Sequence, residues 1–190
     1  MKRLFLALAG LAAFGTNALA DEGMWILSLL SRHNIDVMRQ EGCKLTKEQI
    51  YSVNHGSIKD AVIIFGGGCT GEIVSDNGLI FTNHHCGYSS IQQLSSVDHN
   101  YLRDGYWSRS FDEDLPVDGL EVRFLHSFDD VTSRVLDSLP ANLTPEAKAN
   151  LIKSRCRDIE NASGEDGKYE ASVESFFEGN QYFLIRYKVY

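Results

Sequence analysis

One stretch beside Cys69 constrains the fold of this 190-residue chain more than any other. Two short apolar runs, residues 71–74 and 79–81, flank an Asn77-Gly78 pair. Asn-Gly between such runs is the strongest short-range signal for a β-hairpin, because both residues accept the backbone angles of a tight turn. The chain continues directly with Thr82-Asn83-His84-His85-Cys86. The pattern therefore predicts a hairpin that delivers a histidine pair and a cysteine to its far end.

The same stretch resembles the chymotrypsin-like serine peptidases, where a Gly-apolar-apolar-Thr strand end precedes a His-Cys pair. Three further segments recur in order in one branch of that superfamily: Asp21-Glu22-Gly23-Met24-Trp25, residues 100–107 and residues 115–122. Together with Thr82-Asn83-His84-His85-Cys86-Gly87-Tyr88 they resemble the bacterial dipeptidyl-peptidase 7 and 11 family. The resemblance covers the chain from residue 21 onward, and members of that family are several times longer.

The resemblance implies a mainly β fold with added helices. It would be the first β-barrel of a chymotrypsin-like double barrel, incomplete, with a helical N-terminal segment. Residues 21–190 would then form the N-terminal part of a peptidase domain, without the second barrel and the helical domain that closes over the cleft. The last predicted strand, residues 182–189, stops just before Tyr190. An open-ended strand leaves backbone groups unpaired, which also favours a truncated domain.

The resemblance also implies that His85, directly before Cys86, is the catalytic histidine. A neutral imidazole would accept the proton of an attacking serine and return it to the departing amine. The serine and the aspartate of the triad would lie beyond this chain, so the chain alone is expected to be inactive. The implied substrates are peptides with a free N-terminus, from which dipeptides are released, and the intact protein is a candidate homodimer.

Four cysteines allow three disulfide pairings. The resemblance implies a Cys69–Cys86 bridge, which would tie the start of the hairpin to its end, and Cys43 and Cys156 then remain as the second predicted pair. A zinc site built from His84, His85 and Cys86 is disfavoured, because three contiguous residues converge poorly on one tetrahedral centre. We predict no metal and no cofactor.

Residues 1–20 predict a secretory signal peptide. Lys2 and Arg3 precede an apolar run at residues 4–14, and Ala18-Leu19-Ala20 fits the small-x-small cleavage rule. The run is too short to span the ~30 Å hydrocarbon core of a bilayer, and no other stretch predicts a span. We therefore expect export to the periplasm or cell envelope. The formal net charge of −8 argues against nucleic acid as a partner.

The remaining elements follow from periodicity and turn residues. Helices are predicted within residues 24–42, 46–53, 129–139 and 145–160, and further strands at 61–65, 119–124, 169–177 and 182–189. The last strand alternates in polarity, which predicts one buried face. Two other functions remain open: a non-catalytic exported module for peptide binding or scaffolding, and a chymotrypsin-like endopeptidase.

Overall fold

The computed structural model describes residues 25–30 and 34–190, so the predicted signal peptide lies outside the described residues. The helices are α1 (Ile35–Gln40), α2 (Lys47–Ile50), α3 (His84–Leu94), α4 (Tyr101–Asp104), α5 (Thr132–Leu136) and α6 (Pro145–Ser163). The strands are β1 (Val62–Phe65), β2 (Cys69–Ile73), β3 (Ile80–Thr82), β4 (Val122–Asp130), β5 (Glu170–Phe176) and β6 (Gln181–Val189). Single 3₁₀ turns occupy Leu27–Leu29, Ile58–Ala61, Phe111–Glu113 and Phe177–Gly179.

The six strands form one antiparallel sheet in the order β3-β2-β1-β4-β6-β5. Within the described part of the chain this sheet stays open, with β3 at one edge and β5 at the other. The predicted mainly β fold with added helices is confirmed, and the open sheet is consistent with an incomplete barrel. In the same residues, no helix has the length and apolarity needed to cross a membrane.

Strand β6 is buried on both faces in its first half, so the prediction of a single buried face was wrong there. Tyr182, Phe183, Leu184 and Ile185 are all buried. The reason lies in the tertiary structure, because β6 is an inner strand between β4 and β5. Helices α5 and α6 cover one face, and the aromatic side chains of β4 and β5 cover the other.

The end of β6 is also paired. The backbone of Tyr190 exchanges two hydrogen bonds with Val122, with N···O distances of 3.0 and 2.9 Å. In the described residues the pairing of β6 with β5 ends at Tyr187, so the expectation of unpaired backbone groups is wrong on the β4 side and holds only on the β5 side of residues 188–190.

Local signals predicted several helix ends correctly. The Thr46 hydroxyl accepts a hydrogen bond from the Gln49 N–H at 3.2 Å, and the Gln49 side chain accepts one from the Thr46 N–H at 2.8 Å, which is the predicted capping box of α2. Thr144 caps α6 in the predicted way, accepting from the Ala147 N–H at 3.2 Å. Gly42, with φ of 95°, lies just after α1.

The helix predicted at residues 129–139 is shorter than expected. Asp129 and Asp130 belong to β4, where they pair with Leu184 and Phe183 of β6, and only Thr132–Leu136 is helical. The Asp130 carboxylate then accepts a hydrogen bond from the Thr132 N–H at 2.9 Å at the start of the helix. Sheet pairing with a distant strand overrides the local helical pattern.

A β-bulge in β4 places His126 in a partly buried aromatic and cationic environment. The register shifts between Leu125 and Ser127, and the His126 ring stacks on Tyr169 at 4.4 Å between centroids. Burial, followed by the positive charges of Arg186, Lys188 and Lys59, lowers the pKa of His126 below its ordinary value of 6.5. The charged imidazolium is therefore less favourable in the folded protein than in the unfolded chain.

We expect His126 to make the folded state less stable in mild acid. Between the lowered folded-state pKa and 6.5 the unfolded chain binds more protons, so the free energy of unfolding falls as the pH falls through that window. His126→Phe keeps an aromatic ring against Tyr169 and removes the titration. Urea midpoints measured at about pH 7.5 and about pH 5.5 should therefore differ less in His126→Phe than in the unaltered protein. Equal differences in the two proteins would contradict this assignment.

Candidate active site

The predicted hairpin is present as strands β2 and β3. Gly71 pairs with Thr82 and Ile73 with Ile80. The connection is a four-residue loop, residues 75–78, closed by a hydrogen bond from the Val74 N–H to the Leu79 carbonyl at 2.8 Å. Gly78 takes a φ of 82°, which explains why glycine follows Asn77. The Asn-Gly signal thus predicted the hairpin, although the turn extends back to Ser75.

Gly71 allows β2 to lie unusually close to its neighbours. A Cβ atom at this position would come within 3.1 Å of the Ile80 side chain and 3.3 Å of the Phe81 carbonyl. At the end of β3, the Thr82 hydroxyl donates a hydrogen bond to the Thr70 carbonyl at 2.7 Å. Close packing and this bond fix the backbone at Thr82. The N-cap residue Asn83 follows, and the two histidines then begin α3.

The two histidines are the first two residues of α3, and their side chains diverge. Asn83 is extended at the N-cap, and its carbonyl accepts a hydrogen bond from the Cys86 N–H at 2.9 Å. The His84 ring contacts Tyr88 edge-on, with 5.7 Å between ring centroids. His85 instead has a ring nitrogen within 4.8 Å of the sulfur atoms of both Cys69 and Cys86.

A disulfide joins Cys69, at the start of β2, to Cys86, in the first turn of α3, with 6.0 Å between the Cα atoms. The structure leaves Cys43 and Cys156 free, so the second predicted bridge is absent from the described residues. Cys156 packs against the apolar cluster around Val135 on the inner face of α6. Burial there raises the pKa of its thiol. Apolar side chains, and not Cys43, surround this cysteine.

Removing the bridge should destabilise the protein strongly. The disulfide closes a loop with a sequence separation of 17, and a loop of this size is worth about 3 kcal/mol in the chain-entropy description. Cys69→Ala/Cys86→Ala is therefore expected to lower the free energy of unfolding by about that amount in urea denaturation. Cys43→Ala, which breaks no bridge, is the matched control. A double variant as stable as this control would contradict the prediction.

His85 itself is exposed. Among residues 25–30 and 34–190, no hydrogen bond joins the His85 ring to a carboxylate or a hydroxyl. The acidic residues at positions 104 and 113 are engaged elsewhere. Arg103 forms a bidentate pair with Asp104, and the Glu113 carboxylate accepts a hydrogen bond from the Arg109 N–H. This part of the chain presents the imidazole to solvent without the groups that would activate it.

A groove of about 680 Å³ adjoins the disulfide. One wall is the Gly66-Gly67-Gly68 turn between β1 and β2, and another is the face of α3 that carries Cys86, Ser90 and Gln93. The floor holds an ion pair between Arg123 and Glu170 at 2.5 Å, and Arg123 also donates to the Gly66 carbonyl at 3.3 Å. Sequence analysis missed this pair because its members lie 47 positions apart on different strands.

Comparison with known proteins identifies the family of this chain and agrees with its fold. The model of the Peptidase S46 family matches residues 20–190. Dipeptidyl-peptidase 7 of Porphyromonas endodontalis is 42% identical over 190 residues, which is 100% of this chain and 23% of that protein. An Asp/Glu-specific dipeptidyl-peptidase of Flavobacterium psychrophilum is 45% identical over 168 residues, covering 88% of this chain and 24% of that protein.

A solved structure shows the same architecture. The crystal structure of Porphyromonas endodontalis DPP11 in complex with substrate superposes with a TM-score of 0.72 at 38% identity, covering 90% of this chain and 25% of that one. The sheet and helices of this chain therefore match part of that solved structure. The chain belongs to the Peptidase S46 family, and it spans about a quarter of the length of the relatives it matches.

Proposed function

We propose that this chain is the N-terminal part of a serine dipeptidyl-peptidase that releases dipeptides from the free N-terminus of peptides, with His85 as the general base. The observation that carries the proposal is the position of His85 in a Peptidase S46 chain. It lies at the exit of a hairpin, beside the disulfide that joins that hairpin to α3. The names of the relatives, dipeptidyl-peptidase 7 and Asp/Glu-specific dipeptidyl-peptidase, support the reaction.

The contribution of these residues to catalysis would be to hold the imidazole still. Serine is a weak nucleophile at neutral pH, so its proton must pass to a base within hydrogen-bond reach as it attacks the peptide carbonyl. The Thr82–Thr70 hydrogen bond fixes the backbone before His85, and the disulfide fixes the residue after it. The exposed ring can therefore face a serine supplied by a later part of the protein, and the triad aspartate would come from there as well.

An exposed apolar surface beside the hairpin supports the assignment of residues 21–190 to the first barrel of a larger domain. Leu79, Trp107 and Phe111 line one groove there, and all three are large and exposed. Such clusters on soluble proteins mark surfaces that another surface covers. In our proposal the second barrel covers this one, residues 1–20 are removed as a signal peptide, and the enzyme acts in the periplasm or cell envelope. The chain by itself is inactive, and a homodimer of the whole enzyme remains part of the proposal.

The test uses the full-length protein recovered from the cell envelope, with peptides that differ only at the N-terminus. We expect dipeptides to be released in order from free peptides, with no cleavage of the N-terminally acetylated versions. Cleavage of the acetylated peptides would assign an endopeptidase instead. A folded, secreted product that consists of residues 21–190 alone and cleaves neither substrate would identify a non-catalytic module and refute the proposal.

A further inference from the structure

We propose that, once the Cys69–Cys86 disulfide is reduced, the two thiolates and the His85 imidazole bind one Zn²⁺ ion. The ligand atoms of these three side chains already lie within 4.8 Å of one another. Two thiolates and an imidazole match the donor atoms that zinc prefers. In the oxidised protein both sulfur atoms are shared in the disulfide, so this is a site of the reduced form only.

The required movements are small. With Zn–S distances of about 2.3 Å and a Zn–N distance of about 2.0 Å, tetrahedral geometry sets the sulfur atoms about 3.8 Å apart and each sulfur about 3.5 Å from the nitrogen. Side-chain rotation can provide this separation while the Cα atoms stay near their present 6.0 Å. The backbone on either side is held independently of the disulfide, by the β1–β2 ladder, in which Cys69 pairs with Phe65, and by the Cys86–Asn83 hydrogen bond.

The surroundings of the site favour a cation with anionic ligands. Cys86 lies in the first turn of the eleven-residue helix α3, where the helix dipole stabilises negative charge and hence a thiolate. His85 is exposed, so a water molecule can complete the four-coordinate shell. His84 packs against Tyr88, on the other side from the sulfur atoms, and is not a ligand.

The zinc site forms in two steps, reduction of the disulfide and then binding of the metal. A dithiol reductant transfers two electrons and two protons to the disulfide, giving two cysteine thiols and the cyclic disulfide of the reductant. Zn²⁺ then binds the two sulfur atoms and releases two protons, while neutral His85 donates a nitrogen lone pair. If the proposed function holds, this occupied lone pair can no longer accept the proton of a serine, and the metal would inhibit the peptidase.

The test measures metal binding and needs no activity. Full-length protein carrying Cys43→Ser and Cys156→Ser is reduced with dithiothreitol, freed of reductant without air, and titrated with Co²⁺ as a spectroscopic probe. We expect one Co²⁺ per chain with a thiolate-to-metal charge-transfer band, displacement by Zn²⁺, and no binding by the oxidised protein.

Two histidine variants distinguish a metal site that includes His85 from metal binding by the cysteine thiolates alone. His85→Ala removes a ligand and should weaken Co²⁺ binding by about tenfold or more, whereas His84→Ala, one residue away, should bind like the parent. Circular dichroism of the reduced proteins monitors the fold. Absence of the charge-transfer band, or equal binding by the two variants, whether folded or unfolded, would overturn the proposal. The peptidase assays are separate, so failure of the proposed function leaves this result unaffected.

Discussion

Replacing His85 by alanine in the full-length protein should lower kcat for dipeptide release by about 10⁵- to 10⁶-fold, the scale of catalytic-histidine knockouts in serine peptidases. In the proposed mechanism alanine removes the group that accepts the serine proton, and serine alone is a poor nucleophile at neutral pH. The measurement is steady-state kinetics on a dipeptidyl chromogenic substrate. KM should change little, because the histidine acts on the reacting atoms and not on substrate binding.

His84→Ala is the matched control for this result. His84 is the neighbouring residue on the same helix, but its ring contacts Tyr88 and not the disulfide. We expect it to retain activity within a few-fold of the unaltered enzyme. If His84→Ala abolished activity and His85→Ala did not, the assignment of the base would be reversed. If neither variant changed kcat, the site would lie elsewhere in the protein.

Replacing Phe183 by alanine should produce a large loss of stability. Phe183 is 0% exposed, and its ring lies 4.9 Å from Phe128 and 5.2 Å from Phe176, centroid to centroid. Truncation of a buried phenylalanine costs about 3–5 kcal/mol, because it removes apolar burial and leaves a cavity that relaxes only in part. Urea denaturation of residues 21–190 measures this loss as a lower midpoint with little change in slope.

Phe111→Ala makes the same chemical change at a position that is 73% exposed. There is no enclosed cavity to create at this surface position, so the free energy of unfolding should stay within about 0.5 kcal/mol of the parent. Equal effects of the two variants would show that β6 does not lie at the centre of the core.

Features that depend on a few neighbouring residues could be predicted from the sequence. The Asn77-Gly78 turn, the capping box at Thr46 and the helix start at Thr144 are each decided within about four positions. The Cys69–Cys86 bridge was predictable because the hairpin signal and the family motif coincide in one short stretch. The His85 ring lies beside that bridge, and its catalytic role stays a prediction.

Features that depend on distant strands could not be predicted in this way. The alternation along β6 indicates one polar face, but β4, β5 and α6 meet around this strand and bury both. The local sequence predicts a helix that starts at Asp129, but Asp129 and Asp130 pair with β6 and belong to β4. The predicted Cys43–Cys156 disulfide was wrong for a similar reason. A count of cysteines cannot show that Cys156 faces an apolar cluster.

The strand order divides the sheet into two parts that a narrow seam joins. Strands β1–β3 lead to His85 in the first turn of α3, whereas the buried cluster around Val135 lies with β4, β6 and the helices α5 and α6. The seam consists of three residue pairs between Ile63–Phe65 of β1 and β4, extended by the hydrogen bond from the Gly66 N–H to the Glu121 carbonyl. Side chains hold the same seam together: Arg123 donates a hydrogen bond to the Gly66 carbonyl across it, and Ile63, which pairs with Phe124, is buried. Moving β1–β3 relative to β4 would both break the β1–β4 ladder and expose Ile63, so the position of the strand that precedes His85 depends on the same packing as the fold.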